Sequence, residues 1–224
     1  MKTLSKLFYT IFLATFLVAC DKKEDEEVNV SMLQDNIISG IIEETNMSKV
    51  KVSIFNLYTS KTFIVGESDI INGTFSITLD VPPQEALLIL ALAAEREGVK
   101  ISNPNARIAE INLHAMDNNN RSYRIEKGKE TDNIKQREMY FYADSNVSIT
   151  DTSTNEITVR PSNGSAESYT EKYVEIQSTN LNLKKGWNVA VFSKRTVVKD
   201  DAVYHYREYQ TAALIDGVWE VLEY

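Results

Sequence analysis

Met139-Tyr140-Phe141-Tyr142-Ala143-Asp144-Ser145-Asn146-Val147-Ser148-Ile149 is the stretch that decides the fold. Two apolar runs built from residues that favour a pleated, half-buried surface flank a short polar turn. Asp, Ser and Asn suit such a turn because their side chains bond nearby backbone. Upstream the same grammar recurs. Val50, Val52 and Ile54 alternate with Lys51 and Ser53, which is a period-2 pattern with a solvated face. Asn72-Gly73 is a hairpin dipeptide, since both residues tolerate positive φ. Residues 74–79 alternate again, and Pro82-Pro83 closes that strand because proline lacks the N–H a ladder needs. Residues 108–113 form another alternation.

Downstream, residues 157–159 lead to a turn at 161–165, and residues 169–183 alternate over a long span. Lys185-Gly186 opens the run 187–192. Tyr204, Tyr206 and Tyr209 mark the next strand, and Asp216-Gly217 is a second hairpin signal before 218–222. The run 86–94 is ambiguous: its residues favour helix, yet it is apolar on all sides and short. Its place among regularly spaced strands favours a buried strand. The expectation is a mainly β protein, an antiparallel β-sandwich or barrel-like ectodomain. The polar run 117–120 and the charged run 126–136 suggest a boundary between two β domains, 37–116 and 137–224.

The chain has 224 residues, 43% hydrophobic and 25% charged, with 8 Gly and 4 Pro. That excludes wholesale disorder and low complexity. One cysteine excludes a disulfide framework and a cysteine-based zinc cluster, so neither cofactor nor metal is expected. A net charge of −8 argues against nucleic-acid binding.

The single cysteine has an address attached. Lys2 and Lys6 precede the mostly apolar residues 7–19, a run too short to span a bilayer but right for a signal-peptide core. It ends in Leu17-Val18-Ala19-Cys20. This resembles the lipobox of bacterial lipoproteins, and the resemblance implies a signal peptide over 1–19 and acylation of Cys20. Each buried CH₂ contributes about 0.8 kcal/mol, so two or three chains anchor stably. Asp21-Lys22-Lys23-Glu24-Asp25-Glu26-Glu27 is too polar to bury and reads, within 20–36, as a disordered acidic tether. Such a run also resembles the export signal of surface lipoproteins from Bacteroidetes-type bacteria. Together with "ISGIIEE", "NGTFSITL" and "LNLKKGWNVAVF", it makes the chain similar to uncharacterised lipoproteins of those bacteria with two-part β ectodomains. The resemblance implies an outer-membrane address open to surface exposure; it implies no activity and no site residues.

Catalytic patterns are missing. There is no G-x-S-x-G elbow, P-loop or H-E-x-x-H. His114 and His205 stand in strand-like contexts and read as structural or surface residues. Asp144-Ser145-Asn146 lacks the glycine and closing glutamate of a calcium loop. The uneven feature is aromatic placement: both tryptophans and most tyrosines lie after residue 120. Trp187, Tyr204, Tyr206 and Trp219, with Tyr209, could form a stacking platform for a sugar or peptide, unless they fill the core. The function expected is a non-enzymatic, lipid-anchored envelope module that binds a glycan or an envelope protein. The alternatives are a self-assembling adhesive or structural subunit, and a hydrolase using dispersed carboxylates. Replacing Cys20→Ser should release the protein from membranes. Cell fractionation checks this, and retention of the variant in the envelope contradicts the lipoprotein reading.

Overall fold

The computed structural model describes residues 32–91, 97–159, 171–200 and 202–222. Cys20, the signal segment, most of the tether and the turn expected at 161–165 lie outside them. The described residues are mainly β. The strands in order are β1 (Ile37–Ile41), β2 (Met47–Asn56), β3 (Lys61–Asp69), β4 (Thr74–Thr78), β5 (Leu88–Ile89), β6 (Lys100–Ile101), β7 (Arg107–Glu110) and β8 (Asn112–Asp117). Then come β9 (Ser122–Thr131), β10 (Ile134–Ala143), β11 (Val147–Val159), β12 (Glu171–Leu183), β13 (Gly186–Lys199), β14 (Ala202–Thr211) and β15 (Val218–Leu222).

Turn chemistry sets the local hairpins. Asn72 and Gly73 both take positive φ, 52° and 78°, and Ile71 and Thr74 exchange backbone hydrogen bonds across them. That is the two-residue turn whose twist suits a hairpin, but the pairing stops at this one bridge, since β4 goes on to pair with β1 and β3 with β2. The β2–β3 turn is held by Asn56, whose Oδ1 accepts the N–H groups of Tyr58 and Thr59. Asp117 closes β8 onto β9: its carboxylate accepts the N–H groups of Asn119 and Arg121 and the Arg121 Nε–H, each at 2.8 Å. Asp216-Gly217 departs from expectation. It makes no hairpin, because β15 pairs with β9 rather than with β14.

Ten strands of a 13-stranded main sheet follow the order β3-β2-β8-β9-β10-β13-β14-β12-β11-β6, and off this path β15 pairs with β9, β7 with β10 and β5 with β7. All its pairings are antiparallel except β12 with β14, which is parallel. β1 and β4 form a separate antiparallel pair. The sheet is an open path and not a closed barrel. The stretch 117–136 is not a gap in this sheet. It forms β9 and the start of β10, joined as a hairpin from Thr131↔Ile134 to Gly128↔Arg137. Residues 31–224 accordingly make one compact unit. Charges toward the far end of the 117–136 stretch sit on exposed strand faces and pair across strands, as in Lys135 Nζ to Glu130 Oε2 at 3.7 Å. The run 86–94 is mixed where described: Ala86 ends a 3₁₀ turn, Leu88–Ile89 is β5, and the chain turns at Leu90.

Two cores lie on opposite faces of the same sheet. On one face Tyr140 and Tyr142 of β10 and Trp187 and Val189 of β13 join Val50, Val52 and Ile54 of β2 and Ile38, Phe75 and Ile77 of the β1–β4 pair. On the other face Met139, Phe141 and Ala143 of β10 and Ala190 of β13 meet Val147 and Ile149 of β11 and Leu181 and Leu183 of β12. β14 separates β13 from β12 in the sheet order, so this second core shows the sheet folding back over itself. The fold end is pinned by two short turns: Lys185 donates its N–H to Asn146 Oδ1, and buried Asn188 bonds Lys184 and Gly186.

Gly40 of β1 lies against the Trp219 ring of β15, and a Cβ there would overlap that ring. The indole cannot retreat, since it packs edge-on to Phe75 at 5.2 Å and donates Nε1–H to Ser39 O at 3.3 Å. Gly40→Ala should therefore destabilise the fold by about 1–3 kcal/mol, as overpacking does. Urea unfolding checks this, with Val198→Ala on the surface as the control that should stay within about 0.5 kcal/mol of the parent.

Candidate functional site

The four aromatics expected as a platform separate into two groups. Trp187 is 1% exposed and Trp219 is 7% exposed. Trp187 packs edge-on to Tyr142 at 5.2 Å, and Trp219 does the same with Phe75. Both rings are therefore core residues, and the four-ring platform is not assembled. Tyr209 also packs inward, 4.8 Å from Phe192.

Tyr204 and Tyr206 behave differently. They sit two apart on β14, so they share one sheet face. Their rings stack at 6.4 Å with 21° between planes, and both residues are half-buried. The register carries a row of side chains across four strands at this level. Tyr206 stands opposite Ile176 of β12 and Arg195 of β13, and Arg195 stands opposite Ile134 of β10. The Arg195 guanidinium lies 4.6 Å from the Tyr206 ring centre, within cation–π range. One step along, Gln136 Nε2 donates to Ser193 Oγ at 3.2 Å. Ile134, Gln136, Ile176, Ser193, Arg195 and Tyr206 line a shallow groove of about 290 Å³. It offers an aromatic ring, two aliphatic side chains and several hydrogen-bonding groups on a rigid sheet.

A second, charged cluster sits where the sheet forks. β7 pairs with β10 while β8 pairs with β9, and the chain between them bends at Ile111. Glu126 accepts Arg124 at 2.7 Å and Arg137 at 2.6 Å. Glu138 is buried, and its Oε1 accepts Lys127 Nζ at 3.1 Å and the Ile215 N–H at 2.8 Å. Tyr140 donates its hydroxyl to Glu138 Oε2. Burial, reinforced by that carboxylate, pushes the Tyr140 phenol well above its usual range. Glu110, at an exposed position of β7, is raised too: desolvation of its carboxyl outweighs the attraction of Arg137 and Arg124, and Glu126 adds to the rise. The void here is about 20 Å³, room for roughly one water. The buried Arg137 Nε has no protein partner and suits such a water. Glu126 and Glu138 are thus spent on ion pairs beside a space too small for a substrate.

Sequence reasoning missed this cluster because its members come from three strands, β7, β9 and β10, and the segment before β15, with no shared motif. Only the alternation of charge in 124–127 and 135–138 signals it. The histidines stay apart. His114 Nδ1 lies 3.3 Å from Ser122 Oγ, and burial, with Arg124, lowers its pKa. His205 meets Thr196 Oγ1 at 3.0 Å and stacks on Tyr173. Among the described residues no group of three or more His, Cys, Asp or Glu could hold a metal ion. Asp144 Oδ1 accepts the Arg107 N–H at 2.9 Å and the Ser145 hydroxyl, so it caps a turn. Compared with known proteins, the chain matches no family model, no curated protein and no solved structure.

Glu138→Ala would leave the Lys127 ammonium, the Tyr140 hydroxyl and the Ile215 N–H without their acceptor. The expected loss is about 3–5 kcal/mol in urea unfolding. Glu110 gives a pH signature of opposite sign. Its folded pKa is raised, so ionising it costs stability as pH climbs from its ordinary value of 4.5 through the raised one. Glu110→Gln should raise the melting temperature at pH 7 and leave it unchanged well below pH 4.5, read by calorimetry at both pH values.

Proposed function

We propose that the protein is a non-enzymatic, lipid-anchored binding module of the bacterial cell envelope. Acylated Cys20 holds it to the outer membrane, and the acidic run behind it carries the β unit clear of the surface; the tether expected over 20–36 ends earlier than that, since Met32 bridges Asn188 and buried Leu33 gives its N–H to Trp187 O. The ligand is a saccharide taken by the sheet-face groove at Tyr206. One observation carries this reading: the row Ile176–Tyr206–Arg195–Ile134, laid across four paired strands and flanked by Gln136 and Ser193. A sugar ring has an apolar face and a polar rim. An aromatic ring beside aliphatic side chains meets the first, and an amide, a hydroxyl and a guanidinium meet the second. Strands hold these groups in place, so little ordering is required on binding. The absence of a catalytic motif in the sequence and the ion-paired state of the fork carboxylates favour binding over hydrolysis.

The test is a glycan array probed with the detergent-solubilised full-length protein, followed by titration of the strongest hit. Tyr206→Ala should weaken that binding at least tenfold, about 1.4 kcal/mol. Trp187→Phe, buried away from the groove, should leave it unchanged. Equal binding by Tyr206→Ala and the parent contradicts the groove as the site. A hit that the protein cleaves contradicts the non-enzymatic reading.

A further inference from the structure

The geometry points to a self-pairing surface: the outer edge of β11, from Ser153 to Ile157, takes the same edge of a second copy of this chain, antiparallel and centred on Asn155. One sheet then runs through both copies. β11 is 13 residues long and pairs with β12 along its whole length. On its other side it pairs only with β6, at Ile149 and Thr150. Among the described residues no strand covers that side further along, and Thr152 to Thr158 are exposed on both sheet faces.

The direction of the free groups follows from the β6 contact. Ser148 C=O accepts the Ser102 N–H, and the Ser148 N–H goes to Ser102 Oγ. Ser148 therefore points its backbone groups outward. Outward and inward groups alternate along a strand, and the β11–β12 register has no slip. Thr154, Glu156 and Thr158 consequently present their N–H and C=O groups to the open side.

This edge lacks the guards that other edges carry. Exposed edges are normally kept short, bent, charged with lysine or interrupted by proline, because an open row of backbone groups templates further pairing. β3 has Lys61 and a register shift against β2, and its Val65 C=O is taken by the Asp80 N–H. β1, β4 and β15 have five residues each, and β5 and β6 have two. Residues 152–159 are Thr-Ser-Thr-Asn-Glu-Ile-Thr-Val, with no lysine, arginine, proline or glycine.

A second copy fits this edge in one register. Two identical antiparallel strands in one sheet are related by a two-fold axis perpendicular to it, so each sheet face continues into the same face of the other copy. Centred on Asn155, Thr154 meets Glu156 of the second copy and Ser153 meets Ile157, with no like charges opposed. Centred on Glu156, two carboxylates would face each other, which is unfavourable. Centred on Thr154, pairing would crowd Asp151 and Thr152, where the Gly98 turn already lies: a Cβ on Gly98 would stand 3.6 Å from Thr152 O. Lys172, 2.9 Å from Glu156, neutralises the one charge near the centre. The axis also places both Tyr206 grooves on one side of the joined sheet. That consequence rests on the saccharide reading, whereas the pairing does not.

Cysteine scanning of the full-length chain in cells tests it. Thr154→Cys, Asn155→Cys and Glu156→Cys are oxidised with a copper–phenanthroline catalyst, and dimers at twice the monomer mass are read on non-reducing gels. The parent, which keeps Cys20, sets the background. Opposed residues at a position not hydrogen-bonded between the copies lie about 4.5 Å apart at Cα, within disulfide reach. Asn155→Cys should give at least fivefold more dimer than either neighbour. Adding Thr154→Pro should return it to background, since that N–H faces outward and proline is tolerated there. Thr154→Lys should do the same without any backbone change. Equal yields at the three positions, a maximum at Glu156→Cys, or a dimer that survives both Thr154 variants would overturn the proposal. The crosslink needs no ligand, so it can fail or succeed whatever the glycan titration shows.

Discussion

Everything in this structure depends on β10 being buried on both faces. A strand alternates its side chains, so Tyr140 and Tyr142 point one way while Met139, Phe141 and Ala143 point the other. Five consecutive buried side chains require a layer on each side. The β1–β4 pair with β2 supplies one layer, and the returning β11 and β12 supply the other. β13 shares the burden, with Trp187 and Val189 on the first face and Ala190 on the second. Removing apolar surface from water contributes roughly 25 cal/mol per Å², so these two strands concentrate the cohesion of the unit. The sheet cannot stay flat under that demand. It folds over at the turns 144–146 and 184–185, where Asn146 and Asn188 satisfy backbone groups that would otherwise be stranded.

Much of the fold was legible because strands and turns are local. The alternations at Val50–Val52–Ile54 and 74–79 and the Asn72-Gly73 turn needed only neighbouring residues to be read. Pairing is different. That β15 pairs with β9, or that β12 runs parallel to β14, depends on contacts between residues far apart in the chain. Asp216-Gly217 shows the limit: the dipeptide permits a hairpin, but β13 and β12 already occupy both sides of β14. The polar stretch 117–136 misled for a related reason. Charged side chains signal exposure, and a sheet edge or wet face is as exposed as a linker. The two domains expected on either side of it are one unit joined by β9 and β10.

The candidate site was half legible. Tyrosine spacing on β14 placed Tyr204 and Tyr206 on one face, and that needs only a period of two. The tryptophans were indistinguishable from them in sequence, because an aromatic residue in a strand suits a core and a platform equally. What separates them is position along the sheet. Trp187 lies at the folded end of β13, beneath the β1–β4 layer, and Tyr206 lies level with the far half of that strand. The charge pairs of the fork were invisible for the same reason as the pairing: Glu138 acquires Lys127, Tyr140 and Ile215 only once β9, β10 and the segment before β15 converge.

The far half of the long strands holds together by other means. Strands of 13 and 14 residues extend about 45 Å, well past the covered region. Beyond it the contacts are cross-strand pairs: Lys172 with Glu156, Arg207 with Glu175, Tyr173 with His205, and Arg195 with Tyr206. Pairs of this kind contribute about 0.2–1 kcal/mol each, against several for a buried aromatic ring. The folded end is therefore the stable part, and local opening of the sheet starts at the far end. The Tyr206 groove sits at the boundary between them, where one strand face is still wet but the backbone is already braced by the core. A ligand there would meet side chains held in register at one end of the sheet and would tie together four strands, β10, β13, β14 and β12, as they leave their cover.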